Sequence, residues 1–274
     1  MNINEQKLHA LLGKVVSDFG AVFQAPLILI GDSLGLYRAM RDGQPTTPAA
    51  LAERTDTAER YVREWLNAHA AAGYVDYHPE HATYSLSPEQ SMLFAEEGGP
   101  AFVVGAFQVA TGAGAIRPAL EQAFRTGEGL PWHQHDHQVF HGTERFFRSG
   151  YVANLVSNWI PSIAGAQESL TKGGCVADIA CGYGASTLLM AQAFPSSRFF
   201  GFDSHAASIE EAQERAAAKG LSDRVQFAVA EARDFPGTGY DLVTIFDALH
   251  DLGDPAGAAA HVRSTLKPDG RWAR

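Results

Sequence analysis

Residues 176–184, Val-Ala-Asp-Ile-Ala-Cys-Gly-Tyr-Gly, constrain this 274-residue chain more than any other stretch. A short apolar run carries one acid, Asp178, and then breaks into a loop of small residues. Ser186 and the apolar run 187–194 follow as the start of a helix. A glycine loop between strand and helix lets backbone approach a ligand and aims helix N-terminal N–H groups at it. Nineteen residues past Gly184, a second apolar run, 198–202, ends in Asp203. A carboxylate at that place can grip the two hydroxyls of an adenosine ribose. The bland alternative for Asp203 is a strand-end acid that caps the next helix.

From Gly173 onward, strand-like and helix-like patterns alternate. Strands are predicted at 176–180, 199–203, 225–230 and 240–247, with helices at 206–219 and 256–266. Such alternation implies a parallel sheet with crossover helices. The turn Lys267-Pro268-Asp269-Gly270 then introduces a fifth strand, of which 271–274 follow.

The first hundred residues read differently. Leu8, Leu11, Leu12, Val15 and Val16 recur at helical spacing over 4–20, predicting one buried stripe. Further helices are expected at 25–40, at 49–54 behind Thr47-Pro48, and at 57–72 behind Asp56 with Glu59 three residues on. Runs 74–77 and 82–86 form a short hairpin, and Ser87-Pro88-Glu89-Gln90 is a capping box that restarts helix. Three helices and a hairpin make a winged helix. Residues 101–169 are helical and rich in alanine and glycine, with an interruption at 127–142. The organisation expected is therefore 1–100, a winged-helix dimerisation domain; 101–170, a helical connector and substrate-pocket region; and 171–274, a nucleoside-binding domain.

Charge narrows the partners. The chain carries a formal net charge of −10, against a general affinity for nucleic acid or anionic membrane. Residues 1–100 hold seven basic side chains against thirteen acidic ones, and the helix that would read DNA is lined with Tyr61, Val62, Trp65 and Leu66. DNA binding is not expected of this domain. Cys175 and Cys181 lie on and beside one predicted strand, which argues for free thiols and a reducing cytoplasm. Residues 1–7 lack the pattern of a signal peptide, and the apolar run 25–31 is too short to span a bilayer. His133, His135 and His137 alternate, with His141 beyond, but they follow Gly129-Leu130-Pro131 in a loop without the fixed scaffold that a metal site needs. No metal is expected there.

The cofactor class follows from detail. A dinucleotide fingerprint wants a third glycine where Thr187 stands, and Asp178 would repel a pyrophosphate. An acid there suits a ligand with a cationic amino group, such as the methionine part of S-adenosylmethionine. Residues 178–184 resemble motif I of the class I S-adenosylmethionine-dependent methyltransferases, with Ala180 in place of the first glycine, and Gly201-Phe202-Asp203 resembles their second strand. The resemblance implies an α/β fold, a Rossmann-like parallel sheet preceded by an all-α winged-helix domain. That family has seven strands, so this sheet is expected to lack the last ones, leaving an edge for a partner subunit to protect. The implied cofactor contacts are Asp178, Ala180, Gly182, Gly184, Asp203 and Ser204, the acid–small pair Glu231-Ala232 beside the adenine, and Phe246 and Asp247 after the fourth strand.

Leu249-His250-Asp251, with Asp254 three residues on, is similar to the plant-type small-molecule O-methyltransferases, whose base is the histidine of a His-Asp pair. The chemistry needs one: a phenol of pKa about 10 is only about a thousandth ionised at pH 7. In those enzymes a similar winged helix dimerises and closes the substrate pocket. Related bacterial proteins with segments like 35–38 and 59–66 include methyltransferases and regulators. The expected function is methyl transfer to a small molecule at an oxygen, by a homodimer. A non-catalytic cofactor-binding protein or a winged-helix regulator stands as the alternative.

Overall fold

Asn4 accepts the Lys7 N–H at 3.0 Å and caps α1 (Glu5–Ser33), which runs unbroken for 29 residues. The computed structural model describes residues 3–274. The sequence reading of two helices, 4–20 and 25–40, is corrected here: Pro26 sits inside α1, and the chain turns only at Gly35, with φ 71°, before α2 (Leu36–Ala39). A proline removes one donor but does not by itself reverse the chain, whereas a left-handed residue does. The stripe expected to be buried is also exposed, with Leu11 at 59% and Val16 at 68%. Taken as one element, α1 is long and apolar enough to cross a membrane by length and composition, which the run 25–31 alone did not show.

Thr47 caps α3 (Pro48–Thr55) through its hydroxyl and the Ala50 N–H. Asp56 does not cap the next helix as its spacing suggested. It ends α3 in the left-handed region, φ 51°, and Ala58 precedes α4 (Glu59–Ala71). Strands β1 (Asp76–His78) and β2 (Thr83–Ser85) pair antiparallel, and Thr46 bridges to Tyr84 beside them, so the winged helix has a β wing. The capping box at Ser87 and Gln90 forms in full and opens α5 (Pro88–Phe94). Ile28, Tyr37, Leu51, Val62, Trp65, Leu66 and Phe94 close this core. Helices α6 (Val104–Ala115), α7 (Arg117–Thr126) and α8 (His137–Asn154) follow. Arg145 of α8 is held bidentately by Asp32 at 2.9 and 3.1 Å and by Glu97 at 3.0 Å, with its guanidinium 5.1 Å from the Phe102 ring centre.

The chain divides into two compact units, 1–129 with 135–146 and 130–134 with 147–274, so the stretch 101–170 is shared between them. In the second unit the helix widens into a π turn over Leu155–Trp159, then α9 (Ile160–Ser162) and α10 (Ala166–Lys172) lead to the sheet. Its elements are β3 (Cys175–Ile179), α11 (Ala185–Ala193), β4 (Arg198–Asp203), α12 (Ala206–Ala218), β5 (Val225–Val229), β6 (Tyr240–Thr244), α13 (Pro255–Thr265) and β7 (Leu266–Ala273). The strands lie in the order β5-β4-β3-β6-β7, all parallel. The turn expected at 267–270 lies instead within β7, where the register shifts between Tyr240 and Leu242, and Arg271, Trp272 and Ala273 stand opposite Leu242, Val243 and Thr244. One face packs through Val176, Leu188, Phe199, Phe227 and Leu242, the other through Ala177, Ile179, Phe202, Phe235 and Val243. The chain winds outward from β3 through β4 and β5, then returns to lay β6 beside β3. That reversal opens a crevice beyond the carboxyl ends of β3 and β6.

Candidate functional site

The loop that leaves β3 toward the crevice uses three left-handed residues, Ala180 (φ 54°), Gly182 (φ 52°) and Gly184 (φ 75°). The two glycines serve different ends. A Cβ on Gly184 would stand 2.5 Å from the tip of the Phe227 ring, and one on Gly201 would stand 2.3 Å from its Cδ1, so that ring is wedged between two bare backbones. A Cβ on Gly182 would meet nothing within 4 Å. Gly184 is therefore a packing glycine, while Gly182 faces open space where a ligand can lie against the chain.

Asp203 closes this arrangement from the end of β4. Its Oδ2 accepts the Gly182 N–H and its Oδ1 the His205 N–H, each at 2.8 Å. Both oxygens keep a further lone pair for incoming hydroxyls. The half-occupied carboxylate holds the loop and remains 8% exposed. Ser204, next in line, is exposed at the start of the turn into α12.

Asp178 differs from expectation. Its Oδ2 accepts the hydroxyls of Ser186 and Thr187 and its Oδ1 that of Thr244, all at 2.6 Å, and it is 1% exposed. A carboxylate offers about four acceptor positions, and three are filled from within. The serine and the two threonines thus occupy most of the carboxylate that was expected to meet a cationic amino group, and they hold it under the loop. Burial pushes its pKa up, while the three hydroxyls pull it down.

After β5, Glu231 is exposed and Ala232 packs into the core at 9% exposure. Phe235 is core as well, stacked on Phe202 with ring centres 5.5 Å apart. After β6, Phe246 is half-buried and Asp247 is exposed in the left-handed region, φ 50°. His250 sits in a 3-10 turn, Leu249–Asp251, with Nε2 3.4 Å from Asp251 and Nδ1 4.0 Å from Asp247. Its side chain is 66% exposed, so the imidazole is presented rather than packed.

The sequence reading missed an aromatic group at this end of the sheet. Tyr151, Trp159 and Phe246 lie with ring centres 5.5–6.1 Å apart. Eight residues separate Tyr151 from Trp159, a spacing that a regular α-helix does not stack, and the intervening π turn brings the two rings into contact. Nothing local in the sequence announces that turn.

Cys175 and Cys181 are free thiols, and burial first, then Asp178 and Asp203, pushes the Cys181 thiol well up, away from nucleophilic use. The histidine run does not keep the alternation that would align its rings. Residues Trp132–Gln134 form a 3-10 turn and His137 opens α8. Among the described residues, no three His, Cys, Asp or Glu side chains are grouped as metal donors.

Residues 23–95 match the Rv2258c-like winged HTH domain and residues 176–270 match a family described as Methyltransferase domain. The chain is 25% identical over 258 residues to the mitomycin biosynthesis 6-O-methyltransferase of Streptomyces lavendulae, covering 91% of this chain and 72% of that protein. The solved structure of the mitomycin 7-O-methyltransferase MmcR superposes with a TM-score of 0.69 at 21% identity, over 98% of this chain and 80% of that one. Human N-acetylserotonin methyltransferase in complex with SAM superposes with a TM-score of 0.64 at 16% identity, over 99% and 80% respectively.

Proposed function

Since this chain is an S-adenosylmethionine-dependent methyltransferase with an N-terminal winged helix–turn–helix domain, we propose that it methylates an oxygen of a small molecule. The observation that carries the reading is the pairing of Asp203 with the open side of Gly182, which fits a nucleoside: hydroxyl acceptors lie beside backbone with no Cβ in the way. S-adenosylmethionine, when bound, supplies a methyl group made electrophilic by its sulfonium. Asp203 accepts the ribose hydroxyls in charge-assisted bonds, each contributing about 1.5–3 kcal/mol. Ala180, Gly182 and Gly184 shape the loop, Ser204 and Asp247 border the ligand as exposed polar groups, and Glu231-Ala232 flank the adenine. Phe246, with Tyr151 and Trp159, offers an apolar wall at the same end of the sheet.

His250 acts as the base. It takes the proton of the acceptor hydroxyl as the methyl transfers, a contribution of about a hundredfold or more. Asp251 and Asp247 beside it stabilise the imidazolium that results. The remainder of the rate comes from alignment of acceptor and methyl group.

We assign the exposed face of α1 to a second copy of the chain. Leu8, Leu12, Val15, Phe19 and Val22 are spaced alternately four and three residues apart, the period of a two-helix seam, and each is at least 42% exposed. DNA is a poor fit to the winged helix, because on α4 Arg60 pairs with Glu64 and Arg63 with Glu59, leaving little free positive charge for phosphates. Two free thiols suit a cytoplasmic setting.

Calorimetric titration with S-adenosylmethionine, S-adenosylhomocysteine and NAD tests the reading. Binding of the first two and not of NAD is expected, and binding of NAD alone overturns it. His250→Ala is expected to lower turnover about a hundredfold with cofactor affinity unchanged; equal turnover removes His250 from the chemistry.

A further inference from the structure

Among the described residues, Asp178 and Asp203 are the two buried carboxylates, and the methyl transfer proposed above gives work to Asp203 only. Asp178 draws its three partners from two directions. Ser186 and Thr187 belong to the first turn of α11, directly after the Gly182–Gly184 loop, and Thr244 ends β6, directly before the segment that leads to His250. Each of the three contacts is 2.6 Å long. Parallel pairing sets Asp178 directly opposite Thr244, so the acid spans the line where the chain reverses direction. Gly184, the N-cap of α11, has no side chain with which to cap that helix, so the tether of its first turn comes from Asp178 instead.

We infer that Asp178 is a positioning residue that never touches the cofactor: it ties the first turn of α11, and with it the nucleoside loop, to the end of β6 that presents His250. The inference rests on the methyltransferase reading. It assigns the acid of this motif to the scaffold of the site rather than to the ligand's amino group.

Two probes separate these roles. S-adenosylhomocysteine carries both nucleoside and amino acid parts, whereas 5′-methylthioadenosine carries the nucleoside and a thioether without the amino acid. Asp178→Asn and the near-isosteric Thr187→Val are titrated with each, at a temperature where circular dichroism shows the variant folded. A positioning role lowers affinity for both probes by the same factor, about tenfold, the factor that corresponds to 1.4 kcal/mol. Thr187→Ser restores both affinities. Loss for S-adenosylhomocysteine with methylthioadenosine unchanged shows direct contact with the amino group and overturns the inference. A lower melting temperature with both affinities intact shows a merely structural acid and overturns it equally. Failure of the unaltered chain to bind either probe overturns the methyltransferase reading itself, an outcome distinct from the other two.

Discussion

Gly182 and Gly184 have similar backbone angles, 52° and 75° in φ, yet substitution by alanine should injure the protein in two different ways. In Gly184→Ala the new methyl stands 2.5 Å from Phe227 Cζ and 2.9 Å from its Cε1. Gly201 meets the same edge of the ring, at Cδ1 and Cε1, so that edge is already packed against bare backbone along its length. Left-handed backbone costs an alanine about 1–2 kcal/mol, and overpacking a filled core adds about 1–3 kcal/mol, for a combined loss of about 2–5 kcal/mol. In Gly182→Ala only the first cost applies, since nothing lies within 4 Å, and Ala180 shows that the loop accepts an alanine at φ 54°. The methyl there instead occupies the space assigned to the nucleoside. Urea unfolding followed by circular dichroism, with unchanged m, should rank Gly184→Ala well below Gly182→Ala in stability. Titration with S-adenosylhomocysteine should rank them the other way in affinity per folded molecule. Adding Phe227→Leu to Gly184→Ala should recover part of the lost stability, with a coupling energy of about 0.5–3 kcal/mol. A Gly184→Ala protein as stable as the original, or a Gly182→Ala protein that binds normally, would refute the division of roles between these glycines.

Three further outcomes are expected. His69 is buried with Nδ1 facing the Trp65 carbonyl at 2.9 Å and Nε2 facing the Tyr37 hydroxyl at 2.6 Å, and burial lowers its pKa from 6.5 to about 4. The unfolded chain therefore binds the proton more readily, so this group's contribution is complete above pH 6.5 and falls by roughly 3 kcal/mol as pH drops to 4; in His69→Gln, unfolding midpoints should change less over that window. Arg145→Met leaves Asp32, whose side chain is 16% exposed, without its bidentate partner. It should destabilise the first unit by roughly 2–4 kcal/mol in denaturant titration, somewhat less than a fully buried pair because Glu97 is 38% exposed. Leu12→Lys with Phe19→Lys should convert a dimer to a monomer in analytical ultracentrifugation, and a monomer in the unaltered chain would dismiss α1 as the seam.

Local chemistry was legible in the sequence, and longer-range chemistry was not. The capping box at Ser87 and Gln90 and the Thr47-Pro48 cap form as read, because their partners lie within three residues. The strand–loop–helix unit at 176–194 and the spacing to Asp203 are likewise short-range, and they place the loop and the acid side by side. Of the three hydroxyls on Asp178, those of Ser186 and Thr187 lie close in sequence, but that of Thr244 comes from a strand 66 residues away and could not be read locally. Phe227, the reason for Gly184 and Gly201, is invisible for the same cause, as is the tilted packing of Phe246 against rings before the sheet. The N-terminal stripe was legible as periodicity, but periodicity does not say whether the apolar face meets its own domain or solvent. Here eight of its large apolar side chains between Leu8 and Phe23 are exposed.

The most direct trial of the account is a crystal structure of the chain soaked or grown with S-adenosylhomocysteine. Both ribose hydroxyls should bond to the Asp203 carboxylate with the nucleoside against the Gly182 backbone, while Asp178 keeps its contacts to Ser186, Thr187 and Thr244. A ligand seated elsewhere, or an Asp203 turned away from the ribose, would contradict it.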